Sequence, residues 1–207
     1  MADRPGPEPL RGDAPVAVPR VAASVLVLRG GAERLEVLLV QRTHQARFMA
    51  GVWVFPGGSV DAQEGEGDEA RRTAAAREVE EEAAVQVHPA DLVPYSRWIT
   101  PEEVRSRCAT GFFLVAAPDG AVPRVDGAEC IDWRWARPAD ALAEHEAGHL
   151  ALVFPTIRHL EQIAPFPSAD ALLAHAAGTT PEPVMPRVVQ EGEVSRIVLP
   201  GEPGYPA

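Results

Sequence analysis

Two cysteines, Cys108 and Cys130, are all that 207 residues supply. That excludes a disulfide framework and makes a reduced cytoplasm the expected setting. No long apolar run is present, and the opening segment Met1 to Pro19 is rich in proline, glycine and charge, so it is expected to form a flexible arm, neither a secretory signal nor a membrane span. Positive charge is scarce too. Thirty acids against nineteen bases leave a formal charge of −11, which argues against a nucleic-acid polymer as partner, because such binding depends on neutralising phosphates. A small phosphate ester that brings its own cation stays admissible. The six histidines show no metal-ligand spacing; His145 and His149, four apart, read as surface positions on a helix ending near Gly148. No internal repeat is visible. What is abundant is apolar material, 46% of the chain, enough for one sizeable core.

The apolar runs Val21 to Leu28 and Leu35 to Val40 flank the turn Arg29-Gly30-Gly31-Ala32 and read as paired strands. Gly51 to Phe55 reads as a third strand feeding a glycine turn, and Ala70 to Val85 as a helix whose core face is Ala75, Ala76, Val79 and Ala83. Leu92 to Thr100, Gly111 to Ala117 and Glu129 to Trp135 continue as strands. Pro138 to Glu146, Pro155 to Ala164 and Ser168 to Ala176 have helix starts of the proline or Ser/Asp type. Beyond Gly178 a proline-spaced tail ends in Val198-Leu199-Pro200-Gly201, with a strand expected there. This order predicts an α/β sandwich, helices on both faces of a mixed sheet, over residues 20 to 200 with a short tail at 201 to 207.

The chemistry-bearing stretch is Arg77-Glu78-Val79-Glu80-Glu81-Glu82, a short distance behind Pro56-Gly57-Gly58. On a helix, Glu78, Glu81 and Glu82 stand at i, i+3 and i+4 and share a face, while Glu80 points elsewhere. Like charges so placed repel by roughly 0.2 to 0.5 kcal/mol per pair. A hard divalent cation turns that repulsion into attraction. Arg77 can hold one carboxylate in place, and glycines at 57 and 58 let backbone approach a phosphate or metal closely. Mg2+ is the expected cofactor, with Mn2+ as a substitute. An isolated glutamate run would be read as a solvated helix face; the glycine turn ahead of it shifts the balance to a metal site.

Gly58, five residues, Glu64, and then Arg77, Glu78, Val79, Glu81, Glu82 and Val85 in register resemble the box of the Nudix hydrolase family. Two departures stand out. Twelve residues separate Glu64 from Arg77 where the family has seven, the surplus being Glu64-Gly65-Glu66-Gly67-Asp68, read as a loop insertion. Glu69, seven residues before Arg77, is then an alternative for the first box glutamate. Ala84 also replaces the glycine of the helix end, a poor residue for a left-handed cap. The resemblance implies a Nudix-type α/β/α sandwich and an enzyme that hydrolyses a diphosphate linking a nucleoside to another group. It assigns the metal to Glu78, Glu81 and Glu82, with the Gly57 carbonyl as a further ligand. The general base is left between a helix glutamate, Glu78 first, and a later loop carboxylate, Glu129.

Substrate is addressed by the residues around the box. Leu38 to Thr43, Arg47, Gly51 and Phe55-Pro56-Gly57-Gly58 are similar in spacing to an element of coenzyme A diphosphatases of the family, though Val40 stands where threonine is usual. Arg97 to Pro101 and Thr110 to Phe113 look like the branch that contains the peroxisomal coenzyme A diphosphatase. Arg47 could pair with a phosphate, and Trp53, Trp98 or Phe112 could stack on an adenine, with Gly58 approaching the diphosphate. Coenzyme A or an acyl ester is therefore the expected substrate. The alternatives are an ADP-ribose or dinucleotide pyrophosphatase, to which Pro101 also speaks; a nucleoside triphosphate sanitiser; and a non-catalytic nucleotide sensor, against which the intact glutamates weigh. A homodimer is the oligomeric option.

Overall fold

In the computed structural model, which describes residues 10–46, 49–191 and 194–205, strand alternation sorts the apolar side chains onto two faces of one sheet. In β1 (Arg20–Arg29), β2 (Glu36–Arg42) and β6 (Cys108–Ala116), Leu26, Leu28, Val37, Leu39, Phe112 and Leu114 face one way. Val25, Val27, Leu38, Val40, Phe113 and Val115 face the other. A strand buried on both faces reads as a continuous apolar run, as these do. The sheet runs β3 (Trp53–Val54), β2, β1, β6, β5 (Val93–Ile99), β8 (Pro183–Val184), with β4 (Gly57–Ser59) on β1 and β7 (Cys130–Ala136) on β2. β1 and β6 are parallel, as are β5 and β8, while β2 and β7 run antiparallel to their partners, so the sheet is mixed.

The helix α1 (Gly67–Ala83) covers one face through Ala74, Ala75, Val79 and Ala83. The other is covered by α2 (Pro138–Glu146), α3 (Phe154–Ile163) and α4 (Ala169–Ala176), through Ala141, Leu160, Ile163 and Leu172. This is the α/β/α sandwich expected. β9 (Arg187–Glu191) and β10 (Val194–Val198) form a separate antiparallel hairpin where the sequence suggests only a strand near Val198. No helix among the described residues is long and apolar enough to cross a membrane. Of the proline-rich arm, Leu10 bridges Val104, and the buried Arg107 guanidinium donates to the Ala17 carbonyl at 2.9 Å.

Three local readings change. The third strand shrinks to Trp53–Val54, and the glycine turn itself supplies β4, because Gly57 and Gly58 pair with Ser24 and Ala23. The acidic insertion is only partly loop: Gly67 and Asp68 already belong to α1, so the surplus residues lengthen the helix at its start. Asp68 there bonds Arg97 of β5 and Arg71 one turn on. Finally, α1 ends at Ala83, and Ala84 takes the left-handed conformation with φ 53, its N–H donating to the Glu80 carbonyl. The geometry of the helix exit is therefore kept despite the unsuited residue.

Candidate active site

The glycine turn is fixed from β1, where the Ser24 hydroxyl donates to the Pro56 carbonyl at 3.0 Å and the Val25 N–H to the same oxygen at 2.9 Å. This brings Gly57 and Gly58 against the third and fourth turns of α1. A Cβ on Gly57 would lie 2.4 Å from the Ala23 carbonyl oxygen, where backbone leaves no room for it, and one on Gly58 would lie 2.2 Å from Glu78 Oε1 and displace that carboxylate. The Gly57 N–H donates to Glu82 Oε2 at 2.9 Å.

Arg77 organises the carboxylates around it. Its Nε donates to Glu64 Oε1 at 3.0 Å, Nη1 to Glu78 Oε1 and Glu81 Oε2, both at 2.9 Å, and Nη2 to the Ser59 carbonyl at 3.0 Å. The bond to Glu64 decides between the two candidates for the first glutamate by position: Glu64 meets Arg77. Glu64 is placed by a 3-10 turn (Ala62–Glu64), its carboxylate accepting the Asp61 N–H at 2.6 Å. Burial works against its charge, but the Arg77 and Asp61 donors prevail and its pKa is lowered. Glu64, followed by the other two carboxylates, holds Arg77 firmly in its charged form.

Glu78 and Glu82 are unusual for glutamates on a helix, being only 9% and 3% exposed. Desolvation raises both. For Glu82 the loss of water outweighs the Gly57 N–H, and the neighbouring Glu78 charge adds to it, pushing its pKa up to about 7. For Glu78 burial outweighs Arg77, with Glu81 and Glu129 adding repulsion. Glu81 is the exposed member, and Glu80 is exposed as its helix position requires, its carboxylate bonded to Gln86 at 2.8 Å. Two buried carboxylates that resist ionisation are what a hard cation relieves. The donor set, three carboxylates beside a turn free of side chains, fits an oxygen-seeking divalent ion. In the conformation described, Arg77 and the Gly57 N–H take the carboxylates, and no three acid, histidine or cysteine side chains among the described residues converge as a ready cage.

Glu129 reaches this site as an exposed residue ahead of β7, close enough for its charge to act on Glu78; its carbonyl accepts the Thr43 N–H at 2.9 Å. Trp98 and Phe112 are placed otherwise. They are buried on the sheet face away from α1, 6% and 8% exposed, packed around the ring of His159 at 5.3 and 4.2 Å between centroids. Trp53 is half-buried beside the Arg134 guanidinium. Arg47 lies outside the described residues. Two residues to which the sequence reading assigns no role also stand at the glutamates: Arg42, within the Leu38 to Thr43 stretch, and the fully buried Cys130, paired across β2 and β7, whose charge and thiol both act on Glu82. Only the strand register brings them there.

The profile of the NUDIX domain matches residues 18–155, two thirds of the chain, and spans every element of this site. The chain belongs to the Nudix family. As a Nudix hydrolase it acts on pyrophosphate bonds, and Nudix enzymes generally use divalent metal ions. It is 24% identical to a Caenorhabditis elegans protein provisionally named nudix hydrolase 7, over 83% of this chain and 68% of that one. Its structure resembles that of a NUDIX hydrolase from Alicyclobacillus acidocaldarius, with a TM-score of 0.68, 26% identity, and coverage of 76% of this chain and 96% of the other. The fold alone is shared with the NUDIX domain of Shewanella oneidensis NrtR, solved with ADP ribose, at 20% identity and a TM-score of 0.56 over 70% and 86% of the two chains.

Proposed function

We propose that this Nudix hydrolase cleaves the diphosphate of a nucleoside diphosphate derivative with Mg2+, and that coenzyme A or an acyl-CoA is its substrate. The observation that carries the metal reading is the pair of buried carboxylates, Glu78 and Glu82, pressed against a turn that admits no side chain. Glu78, Glu81 and Glu82 would hold the ion, with the Gly57 carbonyl as a further ligand and Mn2+ as a substitute. When bound, such an ion acidifies a coordinated water and neutralises charge on the phosphoryl oxygens. The chain's own part is positional. Arg77 sets the orientation of Glu78 and Glu81, and the Gly57 N–H that of Glu82. Glu78, whose pKa is raised by burial, is the first choice to take the proton of the attacking water, and Glu129, on the open side of the site, is the second.

The coenzyme A reading is supported by the Leu38 to Gly58 spacing, with Arg47 and Trp53 as the residues to meet phosphate and adenine. Trp98 and Phe112 would support the sheet beneath the site from their buried positions. The test is hydrolysis of coenzyme A, ADP-ribose, NADH and nucleoside triphosphates by the purified protein with Mg2+, products identified by mass spectrometry. Release of adenosine 3′,5′-bisphosphate from coenzyme A is expected. Glu82→Gln should lower kcat at least 100-fold with the fold intact, and Glu80→Gln should change it little, since Glu80 is off the site. Efficient release of AMP from ADP-ribose without action on coenzyme A would overturn the substrate reading, and a fully active Glu82→Gln the metal reading.

A further inference from the structure

Asp126 stands in the loop between β6 and β7 and turns its carboxylate onto the main chain that leads into β7. Its Oδ1 accepts the N–H of Glu129 at 3.2 Å and that of Cys130 at 3.1 Å, and its Oδ2 accepts the Glu129 N–H as well, at 3.2 Å. The same turn is tied down elsewhere. The Gly127 N–H donates to the Cys130 carbonyl and the Thr43 N–H to the Glu129 carbonyl, both at 2.9 Å. At the start of the loop the Arg124 N–H donates to the Ala83 carbonyl at 2.8 Å, which joins it to the end of the helix that carries the glutamates. Val125 and Cys130 pack into the core on the α1 side of the sheet. Residues 126 to 129 are nevertheless exposed, and an exposed loop without such bonds is expected to move. The Glu129 side chain itself makes no hydrogen bond or ion pair among the described residues, so its main chain is what sets where it stands.

We propose that Asp126 is a positioning residue for the hydrolysis, fixing the turn from which Glu129 presents its carboxylate on the open side of the site; this rests on the diphosphatase reading above. A carboxylate near Glu78 is repelled by it, and on a loose loop Glu129 would swing out to solvent. The Asp126 clamp opposes that movement. Bonds from main-chain N–H groups to an ionised carboxylate are stronger than those to a neutral acceptor. Loss of water works against the Asp126 charge, but the N–H groups of Cys130, Glu129 and Ala128 prevail and hold its carboxyl below the usual range. Held in place, Glu129 accepts a hydrogen bond from the attacking water and sets its line of approach to phosphorus, a role that stands beside proton transfer to Glu78.

The test compares the natural chain with Asp126→Ala, Asp126→Asn, Glu129→Ala and the double variant Asp126→Ala/Glu129→Ala. Two quantities are read: kcat and KM with Mg2+ on the diphosphate the natural chain cleaves, and amide hydrogen exchange over residues 126 to 130. Asp126→Ala should lower kcat by roughly tenfold or more, as a misplaced group does, with KM changed by less than about twofold. Asp126→Asn, whose amide oxygen can replace Oδ1 as acceptor, should restore most of that loss. The double variant should be no slower than Glu129→Ala alone, because Asp126 acts through Glu129. Exchange at Glu129 and Cys130 should quicken in Asp126→Ala and stay slow in Asp126→Asn. Losses that multiply in the double variant, a fully active Glu129→Ala, or an Asp126→Ala as fast as the natural chain would each overturn the proposal. Unchanged exchange in Asp126→Ala beside normal hydrolysis by the natural chain would overturn the clamp alone. A natural chain that cleaves no diphosphate with Mg2+ would overturn the diphosphatase reading, and the role of Glu129 with it, whatever the exchange shows.

Discussion

Ala84 carries the sharpest mismatch between residue type and backbone. With φ 53 it holds a left-handed conformation that costs an L-residue about 1 to 2 kcal/mol, and it does so while exposed, with no packing to lose. Ala84→Gly removes that strain and adds some unfolded-chain entropy, so a net gain of roughly 0.5 to 1 kcal/mol is expected. For a chain of this size that is a rise in Tm of roughly 2 °C, readable by calorimetry. Activity should not change, since the bond Ala84 makes runs from its N–H to the main-chain carbonyl of Glu80, the helix glutamate that lies off the site. Gly58 is the opposite case, because there the backbone is ordinary and the neighbour is the problem: any side chain would strike the Glu78 carboxylate.

Among the elements, α3 is held to the sheet by a histidine with no exposure at all. His159 Nδ1 lies 2.6 Å from the Pro155 carbonyl, which can only accept, so Nδ1 carries the proton and Nε2 accepts from the Ser96 hydroxyl at 2.6 Å. Burial among Phe55, Tyr95, Trp98 and Phe112 drives its pKa down from 6.5 to about 4. The native state therefore refuses a proton that the unfolded chain takes between pH 6.5 and 4. Stability from this group is complete above pH 6.5 and is lost as pH falls through the window, by on the order of 3 kcal/mol. In Glu82→Gln, which removes the buried carboxylate that opposes it, denaturant titrations at pH 7 and pH 4.5 should show this slope, and adding His159→Gln should flatten it. An unchanged slope in the double variant would assign the acid sensitivity elsewhere.

At the scale of the whole molecule, Glu82 opposes His159. Its folded pKa of about 7 lies above the usual 4.5, so without metal its contribution is present at low pH and lost as pH rises toward 7. The two tendencies offset one another in the metal-free protein between about pH 4.5 and 6.5. A divalent ion on the carboxylates removes the Glu82 half of this balance, because it binds the ionised form and competes with the proton. Saturating Mg2+ should therefore raise the Tm more at pH 8 than at pH 6, and Glu82→Gln should abolish the difference. Equal shifts at both pH values would place the ion away from Glu82.

Much of this was written along the chain itself. Alternating and continuous apolar runs set the strands, helix starts at Pro138, Pro155 and Ser168 set the second helical layer, and the i, i+3, i+4 glutamates behind a glycine turn marked the site, because these are local patterns whose period is the structure's own. Other features depended on which segments meet. Glu64 rather than Glu69 faces Arg77 because a short 3-10 turn folds it back, and the end of the insertion, Gly67 and Asp68, joins the helix, where Asp68 meets Arg97 on a distant strand. Trp98 and Phe112 could be read as stacking surfaces until the sheet showed which face each takes, and that face is closed by His159. Arg42 and Cys130 lie 88 positions apart in sequence and meet at Glu82 only through the β2 and β7 register. Periodicity fixes what a residue's own element does with it; the long-range pairing of strands, which depends on the whole sheet closing around one core, decided which charges and aromatics share the site.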